Sequence, residues 1–171
     1  MGLKLNITTT SLMLLLASAV EVSCDTIFDV TKYGAKADEN INISQNLRFN
    51  FITNSMVKDI TSRYSKRFHI NLLGCKNSTF YNVAISALEE SLNTDGIHIG
   101  RSSGINITDS TIETGDDCVS IGADSEQINI QRVTYGPGHG ISVGSLGKYP
   151  HEEPVVGISV KNCTSPTPRM A

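Results

Sequence analysis

The 171-residue chain has no tryptophan, aromatic residues make up only 6% of it, and it carries no excess of positive charge. Its 14 Lys and Arg stand against 17 Asp and Glu, a formal net charge of −3. This excludes the general basic field that holds nucleic acid, so an acidic ligand has to be met by locally placed cations. The apolar run from Leu12 to Ala17 is too short to span a membrane. With Lys4 ahead of it and Ser18 and Ala19 at its end, it has the layout of a secretory leader. Reading the leader as residues 1–24 leaves 25–171 as one domain with a modest core, secreted and free of any membrane after leader removal.

Cysteine is also scarce. If Cys24 leaves with the leader, Cys75, Cys118 and Cys163 remain. An odd number in an oxidising compartment leaves at least one thiol free or paired between chains. Asn-X-Ser/Thr sequons at Asn42, Asn77, Asn106 and Asn162 fit a secreted surface.

No long apolar period of 3.6 occurs beyond the leader, so helix is a minor component. In its place is a repeat. Ile97-His98-Ile99-Gly100, Val119-Ser120-Ile121-Gly122 and Ile141-Ser142-Val143-Gly144 follow one another at intervals of 22 residues, and Ile105-Asn106-Ile107 returns after 23 as Ile128-Asn129-Ile130. Looser copies stand at Phe68-His69-Ile70 and Ile158-Ser159-Val160. Short alternating runs bounded by Gly, Asn and Asp are strands and turns. Units of this size cannot bury an apolar face alone and must stack, which predicts an all-β parallel β-helix. An antiparallel sandwich with accidental periodicity is the alternative.

Equivalent positions in stacked coils lie one strand spacing apart, about 4.8 Å. Counting by 22 from Asp95 reaches Asp117 and then His139; one position on, Gly96, Cys118 and Gly140 align. The count therefore predicts a column of two carboxylates and an imidazole, with Asp116 adjacent but directed elsewhere. Two carboxylates about 5 Å apart repel by about 3 kcal/mol at an effective dielectric near 20. Asp is common in turns, but ionisable residues held in register against that repulsion point to a site. Its chemistry is acid–base catalysis without a strong side-chain nucleophile, for which glycoside hydrolysis is the natural reaction. Clustered carboxylates that hold Ca²⁺ are the rival.

Asn93-Thr94-Asp95-Gly96, Gly115-Asp116-Asp117-Cys118 and the run from Gly138 to Gly147 (GHGISVGSLG) resemble, in order and spacing, three of the four signature motifs of the polygalacturonases, the pectin-cleaving glycoside hydrolases. Phe28 to Ala35 resembles the start of the mature plant enzymes. Asn46 to Thr164 is similar throughout, most of all to plant exopolygalacturonases. The resemblance implies a right-handed, single-stranded parallel β-helix and exo-acting hydrolysis of α-1,4-galacturonan with inversion. It implies a pectin or polygalacturonate substrate, a monomer, and no metal or cofactor. By motif, Asp116 matches the general acid, Asp95 and Asp117 the pair that holds and activates water, and His139 the histidine that supports the acid. Asn93, His98, Gly138 and Gly140 are the substrate-binding candidates. Asp116 standing apart from the Asp95–Asp117 pair would leave the gap of about 6.5–9.5 Å that inversion needs.

The sequence also departs from the family pattern. It lacks the fourth motif, Arg-Ile-Lys, and the residues that form early coils in relatives are missing between about Ala37 and Asn46. Tyr135 stands where relatives usually carry a cysteine that bridges to the one matching Cys118. The resemblance thus implies an incomplete β-helix, and a catalytically impaired fragment with weak pectin contact is the second expectation. A third, a Ca²⁺-dependent pectate lyase, needs an arginine base, and neither Arg101 nor Arg132 falls in the column. Lys58, Arg63, Lys66 and Arg67 read as a solvated basic cluster. His69 and His98 read as equivalent strand positions, and Glu152-Glu153 as part of a turn able to wall a groove.

Overall fold

The computed structural model describes residues 21–22, 45–65, 67–88 and 93–165. The leader signals up to Ala19, Cys24, Phe28 to Ala35, Asn42 and Lys66 lie outside the described residues.

The strands are β1 (Glu21–Val22), β2 (Gln45–Asn50), β3 (Thr53–Lys58), β4 (Thr61–Arg63), β5 (Phe68–Leu73), β6 (Lys76–Tyr81), β7 (Ala84–Ser86), β8 (Ile97–Gly100), β9 (Ser103–Thr108), β10 (Thr111–Glu113), β11 (Asp117–Ile121), β12 (Glu126–Gln131), β13 (Thr134–Tyr135), β14 (Gly140–Val143) and β15 (Val156–Lys161). They form three sheets, ordered β1-β3-β6-β9-β12-β15, β13-β10-β7-β4 and β14-β11-β8-β5-β2. Every pairing is parallel. The chain visits the three sheets in turn and climbs one strand per circuit, the parallel β-helix that the repeat predicts.

Alternation explains the core. Ile70, Ile97 and Val119 pair in one inward row, and Leu72, Ile99 and Ile121 in the next; all six are 0% exposed. Phe80, Ile107 and Ile130 make a third row from the adjoining sheet, with Phe80 edge-on to Phe49 at a centroid distance of 5.6 Å. Stacking like on like fills the narrow interior with β-branched side chains that suit a pleated surface.

The corners explain the Asn, Asp and Gly content. Asp59, Asn82, Asp109, Arg132 and Asn162 close the same corner of successive coils, all with φ between 51° and 57°. Asn and Asp tolerate this left-handed conformation better than most side chains. Outward-facing partners also bond along the stack: Asn82 Nδ2 donates to Asp59 at 2.7 Å, and Arg132 donates two hydrogen bonds to Asp109 at 2.6 and 2.7 Å. Arg132 is committed to this ladder. Among the described residues, Cys75, Cys118 and Cys163 are unpaired thiols. Cys118 is buried beside Thr114, whose hydroxyl lies 3.5 Å from its sulfur.

Candidate active site

The β14-β11-β8-β5-β2 sheet carries the ionisable residues at the start of its strands. Val119 pairs with Ile97, which sets Asp117 beside Asp95, and the main chain confirms it: Gly96 N–H donates to the Asp117 carbonyl at 2.8 Å. No side chain fits at Gly96, since a β-carbon there would lie 2.4 Å from the Cys118 carbonyl oxygen.

The next coil does not keep the count of 22. Asp117 pairs with Gly140 and Val119 with Ile141, so β11 holds one extra residue opposite β14. This β-bulge moves His139 off Asp117 and onto Asp116, and it replaces the expected alignment of Cys118 with Gly140. His139 N–H donates to the Asp116 carbonyl at 2.9 Å, and His139 Nδ1 lies 2.8 Å from Asp116 Oδ1. Asp116 is therefore not directed away from the cluster. One ligand atom from each of Asp116, Asp117 and His139 lies within 4.8 Å of the others, so the expected gap of about 6.5–9.5 Å does not separate Asp116 from Asp117.

Serines on the strands hold the other two carboxylates. Ser120 Oγ donates to Asp95 Oδ2 at 2.7 Å, and Ser142 Oγ makes the equivalent bond to Asp117 Oδ2 one coil further on. Burial raises the Asp95 carboxyl above its ordinary value; the Ser120 bond opposes this, and the charges of Asp116 and Asp117 add to it. His98 Nδ1 stands 2.8 Å from Ser120 Oγ. Because the single hydroxyl proton of Ser120 goes to Asp95, His98 Nδ1 is the donor in this pair and Nε2 keeps its lone pair. Burial, with the charge of Arg67 second, lowers His98 and favours that neutral form. Phe68 stacks on the His98 ring at 4.8 Å and 12°, and Arg67 lies over the other ring system, 5.4 Å from the Phe68 centroid.

The remaining candidates divide. Asn93 is an exposed turn residue with φ 55° just ahead of Asp95. Gly138 is required by backbone crowding, since a β-carbon would stand 2.0 Å from the Asp116 carbonyl oxygen. Gly140 takes φ 82° at the bulge, with the Tyr135 ring 3.2 Å from where a β-carbon would be. His69 is not equivalent to His98: Asn71 pairs with His98, and His69 is buried, 3.0 Å from Ser62 Oγ. Ser120, Ser142, Phe68 and Arg67 were not singled out from the sequence as site residues; the serines were legible as the outward positions of the 22-residue repeat. Arg101 faces Asp124 at 3.6 Å.

A metal fits this set poorly. Ca²⁺ takes six to eight oxygen ligands, whereas the group able to converge is two carboxylates and one imidazole, already bonded to Ser142 and to each other.

The family model described as glycosyl hydrolases family 28 matches residues 24–167. The chain belongs to glycosyl hydrolase family 28. Among family relatives it is 62% identical over 122 residues to an exopolygalacturonase of Oenothera organensis, covering 71% of this chain and 34% of that protein. It is 60% identical over 122 residues to a polygalacturonase of Nicotiana tabacum, covering 71% and 31%. The solved polygalacturonase from Erwinia carotovora ssp. carotovora superimposes with a TM-score of 0.64 at 28% identity, over 71% of this chain and 32% of that one. The chain thus spans about a third of the length of these family 28 relatives.

Proposed function

We propose that this chain is a secreted polygalacturonase-type hydrolase that cleaves α-1,4-galacturonosyl bonds of pectin or polygalacturonate with inversion, acting from chain ends. The observation that carries this reading is the convergence of Asp116, Asp117 and His139 at one edge of one sheet, with Asp95 on the neighbouring coil beside Asp117 and its carboxyl raised by burial. Asp116, in contact with His139, donates a proton to the leaving oxygen. Asp95 and Asp117, oriented by Ser120 and Ser142, hold and deprotonate the attacking water. A carboxylate whose pKa is raised toward the working pH is the stronger base, and burial supplies this at Asp95. Proton donation by one carboxyl and water activation by the others is the division of labour that inversion uses; inversion is supported by the motif resemblance and not by the spacing, since Asp116 and Asp117 bring oxygens within 4.8 Å of each other. The reading includes exo action, supported by the likeness to plant exopolygalacturonases, an extracellular, cell-wall location, supported by the leader pattern of residues 1–24, and a monomeric state.

The test is release of reducing ends from polygalacturonate by the purified full chain, set against an Asp116→Asn variant of equal thermal stability. Turnover by the first that falls at least a hundredfold in the second is expected, on the order of a lost general acid. Equal rates, or none, contradict the reading; retained polymer binding without turnover is the result for a non-catalytic pectin-binding chain.

A further inference from the structure

After β14 the chain turns back over the neighbouring strand ends, and a groove of about 410 Å³ opens beneath it. Gly100, Gly122 and His98 lie on its floor, and Lys148, Tyr149 and His151 on its wall. These two glycines differ from Gly96 and Gly138. A β-carbon on Gly100 would meet nothing closer than 3.9 Å, and one on Gly122 nothing closer than 3.5 Å. Neither crowding nor a positive φ demands glycine there, and what the bare backbone provides is space. His98 Nε2 borders that space, 3.9 Å from the Gly100 position and 4.0 Å from the Gly122 position.

The wall is fixed in place. Glu152 accepts the N–H groups of Gly147 at 2.6 Å and of Tyr149 at 2.9 Å. Asp124 accepts the Glu153 N–H at 2.7 Å and faces Arg101. Both carboxylates that border the groove are therefore already engaged. Lys148 is not: its ammonium lies 5.2 Å from the Tyr149 ring centroid, and it is in none of the ion pairs among the described residues.

We propose that this groove is a subsite for one carboxylate-bearing sugar unit, with Lys148 as the counter-charge of the carboxylate, His98 Nε2 as acceptor for a hydroxyl, and the Gly100–Gly122 floor as room for the ring. It rests on the reading of the substrate as a galacturonan, and it adjoins the acid cluster through the bonded series His98, Ser120 and Asp95. A flexible ammonium suits this task, because a carboxylate can reach it from several directions.

The experiment is calorimetric titration of the full chain carrying Asp116→Asn with a galacturonic acid oligomer and with the same oligomer methyl-esterified. Each titration is repeated with Lys148→Gln or Lys148→Arg added, and thermal midpoints check folding. Lys148→Gln is expected to weaken the acid oligomer about five- to tenfold, the scale of one ordinary net hydrogen bond, and to leave the ester unchanged; Lys148→Arg is expected to retain most of the affinity. An equal effect on both ligands, no effect on either, or no saturable binding overturns the subsite. Hydrolysis by the unsubstituted chain is scored separately. Lys148-dependent, acid-selective binding without hydrolysis defeats the hydrolase reading alone, and hydrolysis with Lys148-independent binding defeats the subsite alone.

Discussion

His139 Nδ1 meets Asp116 Oδ1 at 2.8 Å across adjacent coils, 23 positions apart in the chain. Without the bulge in β11 the imidazole would face Asp117, and the proposed acid would lack its partner. His139→Ala is therefore expected to lower kcat on polygalacturonate about a hundredfold. The side chain is 53% exposed, so stability should change by no more than about 0.5 kcal/mol. Steady-state kinetics and a thermal melt measure the two quantities, and a large loss in the melt with kcat preserved would make His139 a structural residue.

Ser120 stands between a base and an imidazole. Its bond to Asp95 opposes the rise that burial produces, so Ser120→Ala should raise the Asp95 carboxyl further. The acidic limb of the kcat/KM pH profile then moves to higher pH. A Ser142→Ala variant removes a bond to Asp117 and keeps the Ser120 bond to Asp95, so it should leave the limb closer to its original position; identical profiles for both serine variants would count against Asp95 as the titrating base.

Two glycines that flank β14 should respond differently to alanine. At Gly138 the new methyl would stand 2.0 Å from the Asp116 carbonyl oxygen and 2.5 Å from that of Thr114, backbone atoms that cannot swing aside. A loss of about 3 kcal/mol is expected. Gly147 has φ 77° with nothing within 4 Å, so Gly147→Ala should cost only about 1–2 kcal/mol for the left-handed backbone. Chemical denaturation of both variants ranks them, and a reversed order would contradict the close packing of the 138 turn on β11.

Burial holds the His69 imidazole down at about 4 from its ordinary 6.5. As pH falls below about 6.5 the unfolded chain takes up the proton first, so stability is full above that value and is lost progressively down to about 4. A displacement of this size corresponds to about 3 kcal/mol. Asp95, with its raised carboxyl, acts in the opposite sense and recovers part of the loss at the acid end. Denaturation midpoints should fall from pH 6.5 to 4.5 in the native sequence and stay nearly level in His69→Gln; parallel curves would remove His69 as the cause.

The β-helix was legible because inward positions repeat as isoleucine and valine at near-constant spacing: Ile97, Val119 and Ile141 do align as the interval of 22 requires. The same interval correctly set Asp95 beside Asp117. It misplaced His139, because counting assumes that every residue advances the ladder equally and the extra residue between Asp117 and Val119 has no sequence signature of its own. His69 and His98 failed for a related reason. More residues separate β7 from β8 than separate the equivalent strands of the other coils, so Ile70 pairs with Ile97 at an interval of 27. The groove under the 145–152 segment was illegible, since a loop's path depends on bonds such as Glu152 to the Gly147 and Tyr149 N–H groups rather than on any period.

The direct measurement is proton NMR of the first product formed from polygalacturonate by the full chain. Hydrolysis across the two faces of the sugar by Asp116 and the Asp95–Asp117 pair predicts saturated galacturonate whose new reducing end is β before mutarotation, and no such signal from Asp116→Asn. An α product, an unsaturated product, or an undiminished signal from the variant would contradict it.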